Sequence, residues 1–259
     1  MVKGHMLEGL DEVEWSELDG CYRSAADAPH LLRAMTSTDP PVARAAQQEL
    51  FDNIYHQGTI YQATPAVVPF FAQIARSPSA QNRVLVVLDL GALARGESYL
   101  VVHADFHEKR GEPMDEHRLQ QEVRWVHEIR EAVARECPEL INEAERADWA
   151  FGTAVAYVAI AVCPEEGRRL VPRLDHLSLG EIQPSRRGAL ALAGFLLGDR
   201  ETSLLDDVER AMTGRYDAEE YGRVLEALRT GGQTELEWMA DNLLEALVSR
   251  GLFEEPSSG

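Results

Sequence analysis

The chain has 259 residues, of which 45% are hydrophobic and 27% are charged, and its formal net charge is −19. This hydrophobic content is typical of a globular protein with a sizeable core and excludes a disordered chain. The 44 acidic residues against 25 basic ones disfavour direct binding of nucleic acid, whose phosphates need Lys and Arg, and favour a basic partner. Because neither a bilayer-spanning apolar run nor a signal peptide is visible, we expect a cytoplasmic protein that does not engage a membrane.

The two ends of the chain carry no helical pattern. We interpret residues 1–6 as a tag remnant or a disordered start, because Gly4-His5-Met6 is a sequence that expression vectors leave behind. Residues 254–259 are interpreted as a frayed tail.

Apolar residues recur at helical spacing from residue 7 to residue 96. Trp15, Leu18 and Cys21 predict a short capping helix. Capping residues followed by prolines, as in Asp39-Pro40 and Thr64-Pro65, mark the starts of longer helices. The predicted helices span residues 29–37, 40–55, 65–76 and 80–95, and they are arranged as pairs.

Residues 53–65 join two of these helices and hold the densest set of polar and aromatic side chains outside a helical pattern. Gly58 would stop the upstream helix, since glycine adopts left-handed backbone angles without a Cβ clash. Because loops on rigid helices usually carry binding groups, we consider five residues here as a recognition patch: Tyr55, His56, Gln57, Thr59 and Tyr61. Alternatively, the polar side chains satisfy the helix ends while the tyrosines pack between helices.

Residues 97–116 interrupt the helical rhythm and are predicted to form a longer loop between repeats. The alternation of His103, Asp105 and His107 would place three ligands on one side of an extended segment. The spacing matches no strong zinc motif, however, and a solvated loop is the simpler interpretation. We therefore predict neither a bound metal nor a cofactor.

The helical pattern returns over residues 117–253. The predicted helices are 118–135, 148–162, 166–177, 184–197, 201–213, 218–230 and 234–250. The Cys137-Pro138 step predicts a helix boundary. The three cysteines, Cys21, Cys137 and Cys163, are odd in number and far apart, so we expect no disulfide framework and place Cys21 and Cys163 in the core.

Helix pairs of this length resemble HEAT-like repeats. The resemblance rests on a proline near a helix start followed by an Arg-Ala-type helix, as in the runs Asp39-Pro40-Pro41-Val42-Ala43-Arg44-Ala45-Ala46 and Pro184-Ser185-Arg186-Arg187-Gly188-Ala189-Leu190-Ala191. It implies an all-α fold: a HEAT-like α-solenoid of antiparallel helix pairs, interrupted by the loop at 97–116.

The N-terminal motifs resemble a group of actinobacterial HEAT-repeat proteins of unassigned function. These motifs are Trp15-x-x-Leu18, Asp27-Ala28-Pro29-x-Leu31-Leu32 and His56-Gln57-Gly58-Thr59-Ile60-Tyr61-x-Ala63-Thr64. The resemblance covers most of the chain, including an N-terminal cap with helix pairs over 7–96 and further pairs over 117–253.

Three functional hypotheses follow from this build. The first is a non-enzymatic module that uses an acidic solenoid surface to capture a basic protein or peptide, since solenoids expose long concave surfaces. Some toxin-neutralising immunity proteins resemble this build. The second is a HEAT-like enzyme, either one with no recognised motif or one resembling the alkylpurine DNA glycosylases, whose carboxylate and aromatic groups suggest Asp148 and Trp149 as candidate binding residues. The third is a scaffold that dimerises through an apolar helix.

The enzyme hypothesis has weaker support in the sequence than the binding hypothesis. A basic groove for DNA is missing from the composition, and Asp148 also fits the N-cap position of a helix. Neither a nucleophile–base pair nor a nucleotide-binding loop is recognised, so no catalytic residue is predicted.

Overall fold

The chain folds into two compact units, residues 1–136 and residues 137–259. The structure is a computed structural model, and it describes residues 7–111, 113–198, 203–213, 218–230 and 237–253. The segments interpreted as a tag remnant and as a frayed tail lie outside the described residues.

The first unit begins with two 3-10 turns, Leu10–Glu12 and Trp15–Glu17, where the sequence predicts one short helix. Six helices follow before the long helix that leaves the unit: α1 (Ala28–Met35), α2 (Pro40–Ile54), α3 (Thr64–Ala75), α4 (Arg83–Arg95), α5 (Tyr99–Val102) and α6 (Ala104–Lys109). Helix α1 packs on α2, and α3 packs on α4.

Burial explains why these helices form where the apolar spacing predicts them. In α1 the side chains of Leu31, Leu32 and Met35 lie on one face and are buried. Helix α4 is buried over Val86–Ala94, as expected for an inner helix whose residues are almost all apolar. Helix α3 runs through Pro69 without ending there, because both flanks of the proline are buried.

Helix α7 (Glu116–Ala144) leads from the first unit into the second. The predicted boundary at Cys137-Pro138 is wrong, since the helix continues through Pro138. Leu140, Ile141 and Ala144 are buried beyond the proline, and their burial offsets the backbone hydrogen bond that the proline removes.

The second unit is also helical. Its elements are α8 (Trp149–Val162), α9 (Pro164–Gly167) with a 3-10 turn (Arg168–Leu170), α10 (Val171–Gly180), α11 (Pro184–Leu197), α12 (Leu204–Met212), α13 (Ala218–Thr230) and α14 (Glu237–Phe253). Helix α11 packs against α10, α12, α14 and α8. The bounds of α11 and α13 are those predicted.

The prediction of an all-α protein is confirmed by the predominance of helices. A small sheet accompanies them in the first unit. Strand β1 (Tyr55–His56) pairs antiparallel with β2 (Thr59–Ile60), and β2 pairs parallel with β3 (Glu97–Ser98). No helix in the described ranges has both the length and the apolarity that crossing a membrane requires.

The segment 97–116 differs from the predicted loop. It contains β3 and the short helices α5 and α6. Ser98 caps α5 by accepting a hydrogen bond from the Val101 backbone N–H at 3.2 Å. Short helices of this kind lack the repeated apolar spacing by which longer helices are predicted.

Cys137 and Cys163 are paired as a disulfide, with Cα atoms 7.1 Å apart. This pairing corrects the expectation that the cysteines would not join. Sequence separation alone does not reveal it, because only the tertiary fold brings Cys137, near the end of α7, to Cys163, which directly follows α8.

Candidate functional site

Residues 55–60 form a tight β-hairpin, not the open loop that the sequence suggests. In its register Tyr55 is opposite Ile60 and His56 is opposite Thr59. The two turn residues, Gln57 and Gly58, have φ angles of 50° and 84°. Two positive φ angles match the type I′ turn of two-residue hairpins, so Gly58 shapes the hairpin turn. The prediction that Gly58 stops the upstream helix is wrong, because α2 already ends at Ile54.

Two threonines, one at the start of α3 and one in the hairpin, stabilise the hairpin and the helix ends beside it. The Thr64 hydroxyl donates to the Ile54 carbonyl at 2.6 Å and accepts from the Tyr61 N–H at 2.9 Å. The Thr59 hydroxyl donates to the His56 carbonyl at 2.7 Å, and Thr59 is only 1% exposed. These polar groups therefore serve the local fold, as the alternative interpretation of the loop expects.

A cavity of about 600 Å³ opens beside this hairpin in the first unit. Four aromatic or imidazole side chains contribute to its wall together with one cation, two carboxylates and a thiol. The lining residues are Asp19, Gly20, Cys21, His56, Ile60, Tyr61, Gln62, Tyr99, Arg118, Glu122 and Trp125. We take this cavity as the candidate binding site.

The site unites parts of the chain that are distant in sequence. Of the residues predicted from the sequence, His56 and Tyr61 line the cavity. Tyr55 packs instead against Phe51, with ring centroids 5.0 Å apart, and Gln57 is exposed at the hairpin turn.

Sequence reasoning missed the contributions of α7 to the site. Arg118, Glu122 and Trp125 follow helical spacing there, but that spacing by itself only marks one side of a helix. The i,i+4 placement of Arg118 and Glu122 was the one available signal.

Tyr61, which directly follows the hairpin, contributes its phenol group to the cavity lining. Its hydroxyl shares a 3.0 Å hydrogen bond with the Thr59 hydroxyl. Burial, together with an interaction with the Cys21 thiol, raises the pKa of Tyr61 to about 12. The phenol therefore stays neutral and keeps its hydroxyl proton well above physiological pH.

This pKa gives Tyr61 a testable effect at alkaline pH. Since the pKa rises from 10.0 in the unfolded chain to about 12 in the fold, the neutral phenol stabilises the fold fully below pH 10. We expect this contribution to vanish as the pH rises through about 12. Urea unfolding of the wild type and of Tyr61→Phe across that range checks the point, and parallel curves for the two proteins would contradict it.

His56 is held at the edge of the cavity by Tyr22. The Tyr22 hydroxyl and the His56 Nδ1 lie 2.9 Å apart, and the two rings meet edge to face with centroids 5.3 Å apart. This pair fixes the imidazole, which stays half-buried, in the lining of the cavity.

Glu122 brings a buried carboxylate to the cavity lining. Its Oε2 accepts hydrogen bonds from the Ser98 hydroxyl at 2.7 Å and from the Leu100 N–H at 3.0 Å. Its Oε1 accepts from the Arg118 Nε at 2.8 Å. The carboxylate thereby joins α7 to the start of α5 and carries one negative charge to the cavity.

The two remaining predicted residues, Asp148 and Trp149, line a separate cavity of about 420 Å³ in the second unit. Trp149 packs under Arg186, whose guanidinium carbon lies 4.9 Å from the ring centroid. A Cβ added at Gly251 would also meet the Trp149 ring at 2.8 Å. These contacts give the indole a packing role.

Asp148 is confirmed as a helix N-cap. Its Oδ1 accepts a hydrogen bond from the Phe151 N–H at 3.0 Å, satisfying one of the free donors of α8. We expect Asp148→Ala to lower the free energy of unfolding by about 1 kcal/mol. Asp148→Ser, which keeps a capping oxygen, is the control in urea unfolding. Equal losses for both variants would show that the cap contributes nothing.

The alternation of His103, Asp105 and His107 is not extended in the structure. His103 precedes α6, its Nδ1–H donates to the Tyr99 carbonyl at 2.9 Å, and its ring stacks on the Tyr99 ring with centroids 4.1 Å apart. Within the part of the chain that the structure describes, no group of three His, Cys, Asp or Glu side chains is placed to hold a metal ion.

Comparison with protein families, with curated proteins and with solved structures returns no match for this chain.

Proposed function

We propose that this chain is a non-enzymatic binding module that captures a basic protein or peptide, with the cavity beside the 55–60 hairpin as its contact site. Helix pairs arranged as a HEAT-like solenoid would present such a site on an acidic surface. A toxin-neutralising immunity protein, directed at a basic toxin, is one form of this function.

The observation that carries the proposal is the charge of the cavity wall. It contains two carboxylates, Asp19 and Glu122, against one cation, Arg118. Asp19 is exposed, and the net charge of the whole chain is −19. A basic segment is therefore attracted at long range by the acidic protein and at short range by the cavity.

The aromatic rings of the cavity support the same function. Tyr61, Tyr99 and Trp125 contribute aromatic rings to the lining. Tyrosine and tryptophan are enriched where binding energy is concentrated, because they bury a large area with few rotatable bonds. Their faces also attract cations.

The enzyme hypothesis has one feature in its favour, because Cys21 and His56 line the same cavity. Each of these two groups contacts a different tyrosine, however. The Cys21 thiol interacts with the Tyr61 hydroxyl, and the His56 Nδ1 is engaged by the Tyr22 hydroxyl. A thiol nucleophile is normally activated by direct contact with its base, so binding accounts better for the arrangement.

An affinity pull-down from the source cell at low salt, followed by stepwise elution with salt, tests the proposal. A basic protein released at moderate salt is the expected result, since exposed charge pairs are screened. We expect Asp19→Asn with His56→Ala to abolish its capture while leaving the melting temperature almost unchanged.

The control variant for this experiment is Asp105→Asn, which removes one exposed carboxylate from α6, outside the cavity lining. It is expected to retain the partner. Loss of capture in both variants would assign the effect to total charge, and recovery of the bare protein from the wild type would overturn the proposal.

A dimerising scaffold is the second candidate, favoured by two exposed apolar side chains. Leu179 and Ile182, near the turn between α10 and α11, are 85% and 88% exposed. If they mediate self-association, sedimentation should show a dimer that persists at high salt and dissociates in Leu179→Glu with Ile182→Glu. A monomer at all salt concentrations would exclude this role.

A further inference from the structure

One guanidinium already occupies part of the candidate site, and it belongs to the chain itself. Arg118 donates from Nε to the Glu122 carboxylate, and its guanidinium carbon lies 5.8 Å from the centroid of the Tyr99 ring. A carboxylate and an aromatic face are the two partners that guanidinium groups prefer in protein interfaces.

The two members of this ion pair differ sharply in exposure. The Glu122 side chain is 2% exposed, while the Arg118 side chain is 55% exposed. Glu122 is fixed by Ser98 and Leu100, whereas Arg118 reaches it from the solvent side through one nitrogen. The Glu122 carboxylate is therefore held in place, and Arg118 is the member of the pair that another cation can displace.

The surroundings of the pair leave a place for a second cation. Asp19 adds a further carboxylate to the cavity lining, and in the described residues no salt bridge engages it. With Tyr61 and Trp125 also in the wall, an incoming guanidinium finds aromatic faces as well as negative charge.

We propose that the cavity receives an arginine side chain of the partner, which displaces Arg118 from the Glu122 carboxylate and from the face of Tyr99. This inference rests on the basic partner of the proposed function and specifies how that partner is recognised. Arginine is favoured over lysine because a planar guanidinium can stack on a ring and bond a carboxylate at the same time. Arg118 holds the site in the free protein and keeps the buried carboxylate paired.

The sign of the effect of Arg118 distinguishes this mechanism from its opposite. If Arg118 competes with the incoming arginine, removing it strengthens binding. If Arg118 itself held an anionic ligand, removing it would weaken binding. The test variant is Arg118→Gln, and the matched control is Arg124→Gln, which removes the same charge from an exposed position on the same helix.

The probe is a short, end-capped peptide of alternating glycine and arginine, titrated by calorimetry at low salt. Its lysine and citrulline counterparts serve as comparison peptides, the latter a neutral analogue of arginine. For the arginine peptide we expect Arg118→Gln to bind about tenfold more tightly than Arg124→Gln, since a like charge within the cavity is removed. Arg118→Lys, which keeps the charge but not the planar group, is expected to fall between Arg118→Gln and the wild type.

The outcomes separate this inference from the proposed function. Wild-type protein that binds none of the basic peptides would overturn both. Wild-type protein that binds the arginine peptide, with equal affinities for Arg118→Gln and Arg124→Gln, would overturn the exchange and leave the acidic binding module standing. Weaker binding by Arg118→Gln would overturn the exchange by showing that Arg118 itself contacts the ligand, and equal binding of the lysine and arginine peptides would overturn the guanidinium preference.

Discussion

Replacing Cys137 and Cys163 with alanine is expected to lower the free energy of unfolding by about 3 kcal/mol. The disulfide closes a segment of 26 residues that contains the end of α7 and all of α8. In the unfolded chain this cross-link removes conformations that the reduced chain recovers, so its loss favours unfolding. Urea unfolding by circular dichroism measures the difference.

The control for this prediction is Cys21→Ala, which removes the free cysteine of the described chain. We expect it to unfold near the wild-type urea concentration, and we expect dithiothreitol to destabilise the wild type but not the Cys137→Ala, Cys163→Ala variant. A wild-type protein whose midpoint is unchanged by dithiothreitol would show that the pair does not stabilise the fold.

Gly20→Ala is the second substitution with a large expected effect, because Gly20 lies against a buried side chain at the wall of the candidate site. An added Cβ would lie 2.6 Å from the Asn53 carbonyl oxygen. That carbonyl accepts a hydrogen bond from the Cys21 N–H at 2.6 Å, and the Asn53 amide oxygen accepts one from the Tyr22 N–H at 3.2 Å. The substitution therefore pushes apart the segment that carries Asp19 and the helix that carries Asn53.

We expect Gly20→Ala to cost about 2 kcal/mol of unfolding free energy and to abolish capture of the basic partner. Gly180→Ala is the control, since a Cβ at Gly180 meets nothing within 4 Å. Thermal unfolding and the pull-down described above provide the two readouts. An unchanged melting temperature for Gly20→Ala would show that the segment around Gly20 moves away from Asn53 without loss of stability.

Much of the helical framework could be predicted from local sequence signals. Prolines in the first turn mark the starts of α2 and α11, and both helices begin at the predicted residue. The sequence also predicts the Asp148 cap before α8, because capping needs only a polar side chain beside free N–H groups of its own helix. Such signals are local, so they can be recognised without knowledge of the tertiary fold.

The errors arose where a distant contact overrides a local signal. Pro138 reads as a helix stop, yet burial of its neighbours carries α7 through it. The strands β1, β2 and β3 contain two residues each, too few for an alternating pattern, and β3 pairs with β2 only when α4 returns the chain to the hairpin.

In the candidate site, too, local sequence signals indicated some residues and only the tertiary fold brought in the others. The hairpin residues His56 and Tyr61 stood out in the sequence because a dense polar and aromatic loop between helices is unusual. The sequence also determined the acidic charge, the helical class and several helix starts, since composition and capping are properties of single residues and their neighbours. Only the tertiary structure brought Arg118, Glu122 and Trp125 to that hairpin and paired Cys137 with Cys163, because helix packing sets which faces meet and the spacing along one helix does not name its partner.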